Sequence, residues 1–205
     1  DMQDYGVSGG IGLISSKVNV EGPIQKGKSS FLLGARRTYA DAIARLSGVE
    51  DAQNAYLYFY DLNMKLYFAL SQRDQISVSG YLGRDKMVLK DVASMGWGNA
   101  FLNAKWSRLM SPRWFSTTSL QYSRYSYSAE MDMGMDMQAD AKIDDYGIRQ
   151  EFKYQPGSNS TWRMGFQSTY HDLAPGDYQA ESDVKNTLNL HHRYSWENGL
   201  YISNQ

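Results

Sequence analysis

Between Ala55 and Leu70 the chain alternates without a break. The even positions are Tyr56, Tyr58, Tyr60, Leu62, Met64, Leu66, Phe68 and Leu70, while Asp61, Asn63 and Lys65 hold the odd positions at the centre. A period of two is the signature of a β-strand with two unlike faces. The usual strand in a soluble protein has about 5–6 residues, and this run is much longer. A strand that crosses a bilayer at a steep tilt needs about 9–11. Tyrosines cluster at one end of the apolar face and Phe68 stands near the other. Rings at both ends of an apolar band suit a lipid-facing strand, because an amphipathic ring prefers the headgroup level. Taken alone, the stretch fits a long strand of a soluble sandwich equally well.

The rest of the chain repeats the pattern. Alternation predicts strands near 11–22, 28–37, 76–82, 97–110, 114–127, 142–155, 162–170 and 184–196, with the beginning of another at the C-terminus. Residues 1–10 are polar and Gly-rich and read as loop. Short turns fall near 25, 73, 112, 158 and 198, and longer connections are expected at 38–54, 86–95, 128–141 and 172–182. Ala40–Leu46 could add one or two helical turns. The short turns recur every ~40–47 residues with two long strands between them, whereas a propeller blade would divide a similar period into four short strands. Short turns at one end and long loops at the other is the arrangement of outer-membrane barrels.

Composition agrees with that architecture. The 205 residues carry a formal charge of −1, which gives no reason to expect nucleic acid as a partner. Mean hydropathy is −0.56, and the chain has no apolar run of the ~18 residues that a membrane-spanning helix needs. A barrel hides its membrane signal, since only alternate residues need be apolar. With no Cys there is no disulfide framework and no Cys metal site. Sixteen Tyr and only four Pro suit a strand-rich protein.

The expected fold is therefore all-β: an antiparallel up-and-down transmembrane β-barrel. Residues 1–205 would form a partial barrel domain of about ten strands belonging to a larger barrel, since an open sheet edge in lipid leaves backbone groups unsatisfied. Tyr58, Leu62, Met64, Leu66, Ala100, Leu102, Ile148, Phe166, Leu188 and Leu190 should face lipid. Asn63, Lys65, Asn103, Lys105, Arg149, Glu151, Asn189 and Arg193 should face a polar lumen, and all but Asn189 are candidate ligand contacts. A small dry barrel interior would not hold such charges. Tyr39, Tyr125, Tyr127 and Tyr178 lie in or beside the long connections. They are candidate extracellular binding aromatics, with an aromatic girdle as the plainer role for Tyr125 and Tyr127.

Four runs carry a family resemblance: Glu21–Ile24 (EGPI), Phe31–Leu46 (FLLGARRTYADAIARL), Tyr58–Leu66 (YFYDLNMKL) and Ser79–Asp85 (SGYLGRD). In order and spacing they resemble the early barrel of TonB-dependent outer-membrane receptors, in the branch with a carboxypeptidase-like regulatory N-terminal domain. The resemblance covers residues 11–86. It implies a 22-stranded barrel with an N-terminal plug in the outer membrane of a Gram-negative bacterium. The implied function is import of a scarce ligand driven by the TonB–ExbB–ExbD complex. The family's TonB box, plug and closing strands have no counterpart in this sequence. The implied partners are outer-membrane lipid, that complex, a possible surface lipoprotein, and a small ligand, peptide or glycan. The rival readings are a structural or adhesive outer-membrane barrel without transport, and a soluble β-sandwich that binds glycans.

Candidate chemistry is sparse, and neither an enzyme nor a cofactor is expected. The loop Ala129–Lys142 mixes soft Met131, Met133, Met135 and Met137 with hard Asp132, Asp136 and Asp140. Mixed ligand types at no established spacing favour a plain acidic loop over a Cu(I) or Ca²⁺ site. His191–His192 would point to opposite faces of a strand and could not chelate together. Neither Ser79 nor Ser123 forms a convincing catalytic set with His171. Arg36–Arg37 reads as a strand-end pair that could touch lipid headgroups or an anionic ligand.

Overall fold

A computed structural model describes residues 2–39, 55–132, 136–157, 159–181, 185–189 and 191–205. Twelve strands make one sheet: β1 (Gly6–Ile11), β2 (Ser15–Gln25), β3 (Ser29–Thr38), β4 (Ala55–Ala69), β5 (Asp74–Leu89), β6 (Ala93–Ser111), β7 (Trp114–Asp132), β8 (Asp136–Gly157), β9 (Ser160–Ala174), β10 (Asp177–Glu181), β11 (Lys185–Asn189) and β12 (Arg193–Asn204). Every pairing is antiparallel. β1 to β9 follow one another in space and β12 pairs with β9, giving an up-and-down meander of ten strands. β10 and β11 form a small hairpin on the far end of β8. Among the described residues β1 pairs only with β2 and β12 only with β9, so the sheet is open.

Register turns the alternation into two continuous faces. Directly paired residues share a face. Leu33 pairs with Met64, Met64 with Gly80, Gly80 with Leu102, Leu102 with Tyr122, Tyr122 with Tyr146, Tyr146 with Tyr170, and Tyr170 with Trp196. That line is apolar or aromatic throughout. One residue along, Lys65 pairs with Ser79, Ser79 with Asn103, and Asn103 with Gln121, all on the other face. A slip of one residue anywhere would swap the faces, so the binary pattern specifies the register.

Among the described residues no second layer covers the apolar face. Among the described residues the one buried hydrophobic side chain is Ala129, whereas Leu62 is 48% exposed and Leu120 is 55% exposed. Its aromatic side chains are regularly spaced. Tyr60 and Phe68 on β4 stand eight residues apart, as do Trp114 and Tyr122 on β7, Tyr146 and Tyr154 on β8, and Trp162 and Tyr170 on β9. Neighbouring rings approach one another along the row from Tyr122 to Trp196, and at one pair in the other row. Trp114 stacks on Tyr154 at 4.5 Å between centroids. Tyr122 lies 5.2 Å from Tyr146, Tyr146 lies 6.4 Å from Tyr170, and Tyr170 lies 5.0 Å from Trp196. The polar side chains inside this band bond to one another. Thr118 Oγ1 donates to Gln150 Oε1 at 2.6 Å, and Gln150 Nε2 donates to Ser116 Oγ at 2.8 Å.

The ends of the strands differ from the sequence reading. Residues 6–10, read as loop, form β1 together with Ile11, because Val7 and Val18/Val20 extend the apolar face despite the glycines. The stretch 86–95 is not a long loop. β5 continues to Leu89 and a tight turn leads into β6, with Asp91 at φ 59°, a left-handed conformation that Asp tolerates. Residues 128–132 and 136–141 likewise continue β7 and β8, through pairs such as Ala129↔Ala139. Much of 172–182 is also strand, in β9 and β10. Glu197–Gly199, read as a turn, lies inside β12, where Glu197 pairs with Thr169 and Gly199 with Gln167. The expected turns near 25, 73, 112 and 158 are present. Ala40–Leu46 lies outside the described residues.

One glycine is required where the hairpin leaves β9. Gly176 has φ +97°, and a Cβ there would collide with the Asp140 carbonyl oxygen. β8 changes partner at this point, from Ala174 of β9 to Tyr178 of β10. Gly176→Ala is expected to detach β10 and β11 locally. Hydrogen exchange should show at least about a tenfold faster rate at β10 amides with β9 protection unchanged, since local opening is separable from global unfolding. Unchanged protection of β10 would contradict this close approach.

Candidate functional site

The polar face holds the expected site residues together. Asn63, Lys65, Asn103, Lys105, Arg149, Glu151 and Arg193 all project from it, as their register shows. The expected lipid set of Tyr58, Leu62, Met64, Leu66, Ala100, Leu102, Ile148 and Phe166 lies on the opposite face by the same register. The side chains of Tyr178, Leu188, Asn189 and Leu190 lie outside the described residues, as do Met133, Met135 and those of Asp132, Asp136 and Met137.

Three polar clusters order this face. At the β3–β4 pair, Arg36 Nε donates to Asp61 Oδ2 at 2.7 Å, and the Arg36 guanidinium also lies over the Phe59 ring at 5.1 Å. Asn63 Nδ2 donates to the other Asp61 oxygen at 3.4 Å. Beside them the Thr38 hydroxyl accepts from Phe59 N–H at 2.8 Å and donates to Phe59 C=O, taking the place of a ladder bond where β3 ends.

The second cluster links β8 to β12. Arg149 Nη2 lies 3.3 Å from Glu151 Oε2, and Tyr201 OH donates to the same oxygen at 2.5 Å. Arg149 Nη2 also donates to Tyr201 OH at 3.2 Å. Sequence reasoning named Arg149 and Glu151 but missed Tyr201, which reaches them only through the β9–β12 register. Two residues along the same strand, i and i+2, share a face, so Arg149 and Glu151 can pair without help from the fold.

The third cluster runs across β7, β8, β9 and β12. Ser123 Oγ donates to Asp145 Oδ2 at 3.1 Å, His171 Nδ1 lies 2.7 Å from Asp145 Oδ1, and His171 Nε2 is 3.8 Å from Glu197 Oε2. The structure thus brings Ser123 and His171 to one carboxylate, which no spacing in the sequence could show. The serine faces the carboxylate and not the imidazole, so no nucleophile–base contact forms. What the row offers is hydrogen-bonding and charge on an exposed polar wall.

Elsewhere the site residues are open. Lys65 and Lys105 are exposed cations, Arg193 is exposed at the start of β12, and Asn103 Oδ1 is buried without a hydrogen-bond partner among the described residues. Tyr125 lies on the polar face and is exposed, and Tyr127 is half-buried on the same side. Tyr39 serves a structural role instead. Its hydroxyl donates to the Gly12 carbonyl and its N–H to the Ile14 carbonyl, closing the β1–β2 connection against the end of β3. His191 and His192 stand in the link before β12, not in a strand, and His192 Nδ1 pairs with Asp172 at 3.0 Å.

No protein-family model and no curated protein sequence matches the chain. Among solved structures it is similar to the crystal structure of the ferric yersiniabactin uptake receptor FyuA from Yersinia pestis. The TM-score is 0.55 at 8% sequence identity, over 98% of this chain and 37% of the receptor chain. The chain therefore spans a little over a third of that receptor's length, and the likeness is one of fold.

Proposed function

We propose that the chain is a section of a β-barrel in the outer membrane of a Gram-negative bacterium, and that the barrel imports a scarce ligand with energy delivered through TonB, ExbB and ExbD. The observation that carries the membrane part is the uncovered apolar face with aromatic side chains eight residues apart on four strands. At ~3.4 Å per residue that spacing is ~27 Å along a strand, or ~21 Å in height at a tilt of ~40°. The apolar band of outer-membrane barrels is ~25 Å tall. In water the same face would be untenable. An exposed large side chain forgoes about 1 kcal/mol of burial, so some twenty of them outweigh the ~5–15 kcal/mol by which a domain is usually stable.

Import is supported by three features of different weight. The fold is similar to part of the FyuA uptake receptor. The face opposite the lipid carries Arg36, Asp61, Lys65, Lys105, Arg149, Glu151 and Arg193, which suits a water-filled passage or a plug surface. The runs Glu21–Ile24, Phe31–Leu46, Tyr58–Leu66 and Ser79–Asp85 resemble TonB-dependent receptors. Polar and charged groups on that face would contact the ligand or the plug.

Two measurements test the proposal. These 205 residues contain no Cys, so single cysteines introduced among them have no native thiol beside them in this section. Cysteines replacing Asn63, Lys105 or Arg149 should react in intact barrels with a membrane-impermeant thiol reagent, and those replacing Leu62, Leu102 or Ile148 should not. The reverse pattern would overturn the assignment of faces. For transport, cells with the full-length gene should deplete a solute from spent medium, followed by mass spectrometry, only while TonB is present. Equal depletion without TonB would refute energy coupling and leave the barrel assignment standing.

A further inference from the structure

On β7 and β8 the centre of the apolar band is polar. Thr118 stands midway between Trp114 and Tyr122, and Gln150 midway between Tyr146 and Tyr154. The two are direct partners in the β7–β8 register, and Ser116 lies two residues along β7 on the same face. We propose that this cluster is a contact with a second copy of the barrel inside the membrane. The inference rests on the reading of this face as lipid-facing.

The three side chains satisfy one another only in part. Thr118 Oγ1 donates to Gln150 Oε1 at 2.6 Å, and Gln150 Nε2 donates to Ser116 Oγ at 2.8 Å. Among the described residues the Ser116 hydroxyl has no acceptor and Thr118 Oγ1 has no donor. Hydrocarbon supplies neither, and polar groups left open at that depth are costly. Between membrane-embedded segments, Ser, Thr and Gln act as hydrogen-bonding contacts. The polar stretch continues on the same face of β9 and β12, where Ser168 Oγ donates to Asn198 Oδ1 at 2.7 Å.

Symmetry favours a second copy as the partner. A two-fold axis along the membrane normal brings side chains of equal height together. Ser116, Thr118 and Gln150 of one barrel then meet the same three of the other. The set holds an open donor and open acceptors, so two copies complete each other. A lipid tail would fill the space and form no hydrogen bond. The surface is also shaped for contact. A hollow of about 410 Å³ lies at the cluster between Trp106, Arg108 and Phe152, and one of about 500 Å³ adjoins it between Met110, Trp114 and Met164. Beside them on β9, Trp162 is 39% exposed at the level of Trp114, so this ring from a second copy can enter. Arg108 lies beyond Trp106 toward the β5–β6 end of the groove, with Asp74 at 3.7 Å. Between the two aromatic rows of β7, β8 and β9 this face carries no charge.

The test uses the full-length protein in phosphatidylcholine vesicles. Donor and acceptor fluorophores are placed on separate copies, and energy transfer is followed as the protein is diluted with lipid. Ser116→Ala, Thr118→Val and Gln150→Leu together should move the dissociation midpoint to a protein-to-lipid ratio at least about tenfold higher. Leu62→Ala with Leu66→Ala, on the same face of β4, should leave it unchanged. A shift below about threefold in the triple variant, or an equal shift in both variants, would overturn the proposal. Energy transfer no greater than random crowding at every dilution of the unaltered protein would overturn it as well. Thr118→Cys, in a background without other cysteines, gives a check that does not depend on how the triple variant folds. It should form a disulfide-linked dimer on oxidation in the membrane, and cross-linking only to a different protein would overturn the proposal. A fluorophore on Leu102→Cys, quenched by nitroxide-labelled lipid, reports separately on the membrane reading. If it is not quenched, that reading fails; if it is quenched and no dimer forms, only the self-association fails.

Discussion

Arginine in place of Met64 is expected to destabilise the folded barrel in lipid by about 2–4 kcal/mol, while arginine in place of Asn63 is expected to change it by less than about 0.5 kcal/mol. The two positions are adjacent in sequence. Met64 stands midway between Tyr60 and Phe68, at the centre of the apolar band, where a cation is furthest from water on either side. Asn63 is exposed on the polar face beside Asp61, where a guanidinium gains a partner. Equilibrium unfolding of the full-length protein from phosphatidylcholine vesicles measures both. In a water-soluble sheet the contrast would vanish or invert, because a cation on an exposed apolar face improves hydration. Equal stabilities for the two variants would therefore count against a lipid-facing Met64.

Asp144→Asn is expected to cost about 2 kcal/mol, with most of the loss recovered at high salt. Asp144 is 3% exposed and accepts from Tyr122 OH at 2.9 Å, Arg124 Nε at 2.6 Å and Arg124 Nη2 at 3.2 Å, and its carboxylate pairs with Lys142 at 3.1 Å. Removing the charge leaves two cations facing each other. Removal of one partner from a fully buried pair costs about 3–5 kcal/mol. Arg124 and Lys142 are each close to half exposed, so water screens part of their repulsion and the smaller figure applies. The double variant Asp144→Asn, Lys142→Gln should regain stability relative to the single one, as a coupling cycle measures directly. A salt-independent loss, or no recovery in the double variant, would show that Asp144 acts through packing and not through charge.

The parts of this architecture that depend on one strand at a time were legible in the sequence. The alternation from Tyr56 to Leu70 yields both faces of β4, and the same reasoning places Lys105 with Asn103 and Arg149 with Glu151 on the polar side. The parts that depend on pairing between strands were not. Tyr201 meets Arg149 across more than fifty residues of sequence, and Ser123 meets Asp145 and His171 only because β7, β8 and β9 align in one register. The Asp144 cluster was missed for the same reason. Strand ends were misread where the alternation stops. Outside the apolar band both faces can be polar without penalty, so residues 86–89, 128–132 and 136–141 look like loop while still pairing as strand. In β1 the glycines of GVSGG hide a pairing strand whose apolar signal is Val7 and little else.

The constant separation of Tyr60 from Phe68, Trp114 from Tyr122, Tyr146 from Tyr154 and Trp162 from Tyr170 makes each of these strands a ruler of the same length. Rings fixed at both ends cannot slide, and a sheet cannot shorten or kink locally as a helix can. Thickness must then be adjusted by the lipid. A bilayer with ~30 Å of hydrocarbon would have to thin by several ångströms around such a wall, at a fraction of a kcal/mol for each ångström of mismatch. A thin bilayer would meet it unstrained. On the proposed membrane reading, the spacing acts as an address as well as an anchor, favouring a thin bilayer over thicker ones.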